Sequence, residues 1–260
     1  MAPKFVVPYR KSGKNDRNDA EAICEAVTRP SMRFVPLKSS EQQALLALHR
    51  VRQGFVIERT ATINRLRGLL SEFGVVLPLR SVTVRRQAAR AAKRVPELAR
   101  QAIGDLLEQL RLHDELINAY DQQIKEQAKL SDPAQRLMKI RGIGATTALA
   151  IVATVGDARE FRNGRQFAAW IGLVPAQYST GGKPRLGHIS KRGDAYLRGL
   201  LVQGARSVLH SAGMHKDRTS RWILELRARR GYHRTLVAIA NKNARIAWAL
   251  LARNETLRAA

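Results

Sequence analysis

Ser179 and Thr180 stand side by side in "QYSTGGKPRLGHISKRGDAYLR", residues 177–198. Gly181 and Gly182 follow, then Lys183, Arg185, His188, Lys191, Arg192 and Arg198. An alcohol that attacks a phosphodiester needs freedom to reach in line. It needs cations or metal to offset charge on the phosphoryl oxygens, and help in losing its proton. The loop supplies the first and part of the second. The plainer reading is a turn built on Ser179 and Thr180, with bases that hold a nucleic-acid backbone. On the residues alone the turn is the simpler of the two. A P-loop is excluded, because Gly182-Lys183 is followed by Pro184 rather than by Ser or Thr. No G-x-S-x-G elbow surrounds Ser179.

Two further segments could carry chemistry. In "KNDRNDAEAI", residues 14–23, Asp16 and Asp19 are three apart and share a helix face. Two carboxylates on one face can contribute oxygen ligands to Mg²⁺, although two are few for phosphoryl transfer. They also suit the start of a helix, where the dipole favours acids. In "RGIGATTALAIV", residues 141–152, Gly142 and Gly144 form a short turn between two helices. Backbone N–H groups at such a turn can hold a phosphate without reading a base, the helix-hairpin-helix pattern. A plain helix–helix turn with a glycine near the cap is the alternative.

These segments need elements to position them. Residues 1–13 read as extended, with Pro3 and Pro8 as breakers. A helix follows from Asn15 or Asp16, and Cys24 beside Ala22, Ile23 and Val27 reads as a small core residue. Ser39 or Ser40 caps a helix that runs to about Phe73. Residues 74–95 read as a basic connection. A second long helix follows Pro96, with Ile103, Leu106, Leu110, His113, Ile117, Tyr120 and Ile124 stepping by three and four. That spacing predicts an antiparallel coiled-coil hairpin or a dimer stalk, with His113 at the edge of the seam. After Asp132-Pro133 small residues and glycines become frequent, which places a boundary there. Helices are then expected over "RGDAYLRGLLVQGARSVLH", residues 192–210, and at about 216–229 and 233–252, and strand signals are weak throughout.

Composition narrows the partners. Lys and Arg number 46 against 21 Asp and Glu, a net charge of +25 in 260 residues. Such an excess points to a polyanion, nucleic acid first and an anionic membrane surface second. The last hundred residues hold 19 Lys or Arg and 4 Asp or Glu, so the bias is strongest around the Gly-rich loop. Aromatics at 5% argue against base stacking as the main binding device. One cysteine excludes an internal disulfide and fits a reducing compartment. No signal peptide or apolar run long enough to span a bilayer is visible.

In order along the chain stand "KNDRNDAEAI", the long helices, "GIGATTALAIVATVGD", "FAAWIGLVP", "YSTGGKPRLGHISKRGDAYLR" and "RRGYHRTLVAIANKNARIAWALL". Together they resemble the DEDD-type insertion-sequence transposases, the one-ten/eleven-eleven family of insertion elements, and the eleven-eleven branch more closely. The resemblance implies a mostly α chain in three parts. Residues 1–38 would be the remnant of an RNase H-like, resolvase-like domain. Residues 39–131 would form a coiled-coil helical region. Residues 132–260 would form a helical transposase domain with a helix-hairpin-helix-like element and a serine loop.

The resemblance also implies the chemistry: DNA cutting and joining by a serine nucleophile, helped by a Mg²⁺-binding acidic site. By motif position the nucleophile is Ser179, with Thr180 the second candidate. Asp16 and Asp19 match the last two members of the Asp-Glu-Asp-Asp metal set. Gly142, Gly144, Lys183, Arg185, Lys191, Arg192 and Arg198 would contact nucleic acid. Expected partners are the element's DNA ends and target, a structured guide RNA and further copies of the chain through the coiled coil, in the cytoplasm at the nucleoid and not at a membrane. One departure stands out. The first Asp and the Glu of the set lie on earlier strands in the family, and no acidic residue precedes Asp16 here. The expectation is an N-terminally truncated copy with an incomplete Mg²⁺ site. Its alternative function is that of an inactive DNA- or RNA-binding remnant.

Overall fold

Asn15 starts the first substantial helix by accepting a hydrogen bond from the Asn18 amide at 2.8 Å. The computed structural model describes residues 1–257 apart from 2, 31, 33, 35, 36 and 79. Those residues fall into two units, Met1–Ser40 and the chain from Glu41 onward. The first holds α1 (Pro3–Val6), a 3-10 turn (Val7–Tyr9) and α2 (Asp16–Val27). Its opening residues are therefore helical, not extended. A proline's fixed φ suits the first turn of a helix, so Pro3 and Pro8 start turns here. The buried stripe of α2 is Ala22 and Ala26. Cys24 lies two residues from each, on the opposite side of the helix, and is exposed rather than in the core.

The second unit begins with α3 (Ser40–Glu72), followed by α4 (Ser81–Ala91) and α5 (Glu97–Leu130). Cross-contacts show that α3 and α5 run antiparallel. Arg52 pairs with Asp121, Phe55 meets Tyr120, Arg59 pairs with Asp114 and Thr62 bonds Gln109. As one number rises the other falls in step. Ile63, Leu66 and Leu70 of α3 share a core with Ile103 and Leu110 of α5. His113 is buried beside Phe55, with Nδ1 3.6 Å from a Glu58 carboxylate oxygen. Residues 81–91, expected to be connection, form α4. Val84 and Ala88 put four-residue spacing onto the α3–α5 core while the arginines stay outside.

A larger core lies beyond. It joins the end of α5, through Ile124 and Ala128, to α6 (Asp132–Met138), α7 (Ala145–Val155) and α8 (Gly164–Ile171). Then come a two-stranded hairpin, β1 (Pro175–Gln177) and β2 (Leu186–Ile189), and the helices α9 (Ala195–Ser211), α10 (Arg218–Arg230) and α11 (Tyr232–Arg253). Helix α11 carries Leu236, Ile239, Ala240, Ala244, Ala247 and Leu250 into this core, and it packs on α8 and α9. Trp248 Nε1 donates to the Ala158 carbonyl at 2.9 Å and Asn243 Nδ2 to that of Arg141 at 3.0 Å. The chain is thus mostly helical, as expected. Among the described residues no helix is long and apolar enough to cross a membrane.

Candidate serine and nucleic-acid site

Ser179 sits at the end of a short hairpin whose base is locked to the helical body. Helix α8 ends at Gly172, in the left-handed region at φ 84. A Cβ on Gly172 would lie 2.2 Å from the Arg192 carbonyl oxygen, and one on Gly193 would lie 1.9 Å from that of Trp170. Only glycines let the chain leaving α8 and the chain entering α9 touch backbone to backbone there. Asp194 then caps α9 by accepting from the Leu197 amide at 3.0 Å. The Lys191 amide donates to Gly172 and the Ser190 amide to Val174.

From this base β1 and β2 pair antiparallel, Pro175 with Ile189 and Gln177 with Leu186, with an irregularity between the two pairs. The tip is Thr180 to Lys183, with Gly181 at φ 55 and Gly182 at φ 74. Two successive positive φ values mark the turn type whose twist matches paired strands. Ser179 is exposed. Its Oγ accepts from Gln177 Nε2 at 2.8 Å and from the Arg185 amide at 3.1 Å. Both lone pairs are used. Among the described residues nothing accepts the hydroxyl proton. The serine therefore closes the hairpin and still presents an O–H to solvent. Thr180 is exposed beside it, and its carbonyl accepts from the Lys183 amide.

The cations divide into two groups. Lys183, Arg185, Lys191 and Arg192 are exposed, and among the described residues none is in an ion pair. Arg198 is different. Its Nη1 donates to the Ile171 carbonyl at 2.9 Å, which ties α9 to the last turn of α8. That hydrogen bond gives Arg198 a structural role. The Gly-x-Gly turn divides in the same way. Gly142, at φ 91, lies against α9; a Cβ there would meet Val208 at 2.5 Å and the Gly204 oxygen at 2.8 Å. Gly144 is exposed, has open space around it and precedes α7 with no side-chain cap. The free first-turn N–H groups of α7 lie at Gly144, while Gly142 serves packing. Arg141 fixes the turn from behind by bonding Asp217, Ser220 and Ser211.

In the first unit Asp16 and Asp19 fall in the first turn of α2. Arg10 Nη1 lies 3.4 Å from the Asp19 carboxylate. Among the described residues no group of three or more His, Cys, Asp and Glu side chains could hold a metal. One of the two carboxylates is engaged by a guanidinium. A divalent ion held by this pair alone would take its remaining oxygens from water or phosphate. What residue spacing did not reveal are the glycine contacts at 172, 193 and 204. Each depends on a partner distant along the chain, and no local pattern marks it.

Comparisons with known proteins place the chain among transposases. Residues 134–220 match the transposase family of IS116, IS110 and IS902. Residues 3–75 match a transposase domain of the DEDD IS110 type. The chain is 49% identical to a probable family 20 transposase of Pseudomonas aeruginosa, over 99% of its own length and 78% of the relative's. It is 46% identical to the transposase of insertion sequence element IS1111A from Coxiella burnetii, over 99% and 72%. Against the transposase of IS1328 from Yersinia enterocolitica the figures are 42%, 95% and 75%. With the serine hairpin inside one matched segment and the Asp16–Asp19 pair inside the other, the chain belongs to the DEDD-type IS110 family of insertion-element transposases.

Proposed function

We propose that this transposase cuts and joins DNA through Ser179. The observation that supports this most is the state of its Oγ: two N–H donors hold it at the end of the hairpin, no described residue accepts its proton, and the hairpin and its base carry four exposed cations that are in no ion pair among the described residues. In the proposed step Oγ bonds to phosphorus and the bond from phosphorus to one ribose oxygen breaks. The serine proton leaves to a base, and the departing oxygen takes up a proton. Lys183, Arg185, Lys191 and Arg192 offset charge on the non-bridging oxygens. The product is a phosphodiester to serine, which a DNA hydroxyl later reverses.

The family's DEDD domain points to a divalent metal. In this reading Asp16 and Asp19 supply two of its ligands, the remainder come from groups outside the pair, and another subunit brings the assembled site to the hairpin. The α3–α5 pair acts as the coiled coil that joins subunits, and a structured RNA selects the DNA. Arg198 and Gly142 support the site from behind, and Gly144 receives a phosphate at the start of α7. The setting is the cytoplasm, at the nucleoid.

A second reading is favoured by the Arg10–Asp19 contact: the chain binds DNA or RNA and does not cut. Trapping separates the two. A nicked suicide DNA that loses its leaving strand should give a covalent adduct with the wild type. Ser179→Ala should abolish it and Thr180→Ala should keep it. An adduct that survives Ser179→Ala would overturn the nucleophile. No adduct with the wild type at any Mg²⁺ or Mn²⁺ concentration would leave the non-cutting reading standing.

A further inference from the structure

A groove of about 1240 Å³ runs beside α11, apart from the hairpin tip, and carries cations of its own. Its walls include Arg165 of α8 and Arg234, Lys242 and Arg245 of α11. Among the described residues none of the four is in an ion pair, and the one carboxylate in the lining is Glu255. On α11 the residues 234, 241, 242 and 245 share a face. They span eleven positions, about 16 Å of helix. That length matches roughly five nucleotide steps of a duplex strand, at 3.4 Å each.

Two features argue that these charges are placed for a ligand. A Cβ on Gly164 would sit 3.1 Å from the Arg245 Cα, so α8 and α11 touch backbone to backbone. That contact sets the start of α8 against α11, so that Arg165, the next residue along, and Arg245 line one groove. Clustered positive charge of this kind concentrates a polyanion. The second feature is Trp222 of α10. Its ring lies under the Lys242 ammonium, with Nζ 4.6 Å from the centroid, which holds the charge toward the groove. Ala238 and Ala249 line the same space, so its surface is shallow enough for a backbone to approach. Leu173 and Pro175 line its end. Asn241 Nδ2 donates to the Leu173 carbonyl at 3.2 Å, so the groove opens at the foot of the serine hairpin.

We infer that the α11 groove is a phosphate-backbone binding site for a nucleic-acid strand, with Arg165, Arg234, Lys242 and Arg245 as its contacts. It rests on the nucleic-acid part of the function proposed above but not on Ser179. A strand held there leads to the hairpin and would be anchored by charge along its length while the tip acts on one phosphate.

The test is the salt dependence of binding. Anisotropy of a labelled 30-mer, as duplex DNA and separately as single-stranded RNA, is followed against NaCl concentration. Each phosphate contact adds about 0.9 to the slope of log K against log salt for duplex and about 0.7 for a single strand. The triple variant Arg234→Gln, Lys242→Gln, Arg245→Gln should lower the slope by about 2 to 3 on whichever nucleic acid occupies the groove. Arg234→Lys with Arg245→Lys keeps the charge and should keep the slope. A wild-type slope for the triple variant on both nucleic acids would overturn the inference. So would an equal loss in the lysine variant, because charge would then not be what matters. Ser179→Ala should leave the slope unchanged, so loss of the adduct and loss of the groove are separate results.

Discussion

The Arg185 amide donates to Ser179 Oγ at 3.1 Å, across the hairpin, from the residue that leads into β2. The same oxygen takes a second hydrogen bond from Gln177 Nε2, from the end of β1. Ser179 is therefore aimed by both strands, one through backbone and one through a side chain. Only the second can be removed without breaking the hairpin.

Gln177→Ala should slow formation of the serine–DNA adduct while leaving nucleic-acid affinity unchanged. One hydrogen bond of this kind contributes about 1 kcal/mol, which corresponds to roughly a fivefold to tenfold fall in rate. Single-turnover trapping beside an anisotropy titration reads the two quantities separately. Gln177→Met keeps the length and loses the donor without adding charge, so it should resemble the alanine variant. An unchanged rate in both would mean that Gln177 does not position Oγ.

Gly204→Ala should destabilise the protein strongly. The added Cβ would fall 1.8 Å from the Gly142 carbonyl oxygen, which is backbone and cannot swing aside. Overpacking of this kind costs about 1–3 kcal/mol, and more when backbone must move. Gly199 lies on the same helix with nothing within 4 Å of its Cβ position. Gly199→Ala should stabilise by up to about 1 kcal/mol through helix propensity alone. Urea unfolding of the pair checks both signs, and similar midpoints would contradict the close approach of α9 and the Gly142 turn.

These positions show what could be read along the chain. Helix α5 was legible because Ile103, Leu110, Ile117 and Ile124 repeat a spacing that only a buried helix face imposes. Helix α4 was hidden, because four arginines between residues 85 and 94 mask Val84 and Ala88. The strands of the hairpin have three and four residues, too few for a two-residue alternation to stand out. Ser179 could be located by its neighbours in the loop, whereas the two donors on its Oγ exist only once the strands pair. The tight packing of Gly142 follows from Gly204, sixty-two residues away. Asp16 and Asp19 were legible as a shared face, and the contact with Arg10 was not, because it needs the turn before α2 to fold back.

Stability should fall with acid through His49. Its ring is buried, with Nδ1 3.0 Å from the Tyr196 hydroxyl. Burial, with a smaller contribution from the Arg52 charge, pulls its pKa down to about 4. An unfolded histidine titrates near 6.5. Between those values the unfolded chain binds a proton that the folded one refuses. This stability is present above about pH 6.5 and is lost as pH falls toward 4, by up to about 3 kcal/mol. Urea midpoints at pH 7 and pH 4.5 measure it, and His49→Gln should flatten the difference. If the variant retained the full pH dependence, other groups would be responsible.

The contact between Arg10 and Asp19 should oppose metal more than it supports the fold. The two side chains are 28% and 41% exposed, so water screens the pair and its contribution to stability is at most about 1 kcal/mol. Its effect on a cation is larger in kind, because a guanidinium at 3.4 Å from the carboxylate repels a second positive charge. Arg10→Ala should therefore leave the melting temperature within a few degrees of wild type and tighten Mn²⁺ binding severalfold. Isothermal titration or Mn²⁺ electron paramagnetic resonance reads the affinity. Asp19→Asn in the Arg10→Ala background should undo the gain, which locates the ion at this carboxylate. If Arg10→Ala left Mn²⁺ affinity unchanged, the guanidinium would not be a competitor, and the weakness of the pair would lie solely in its having two carboxylates.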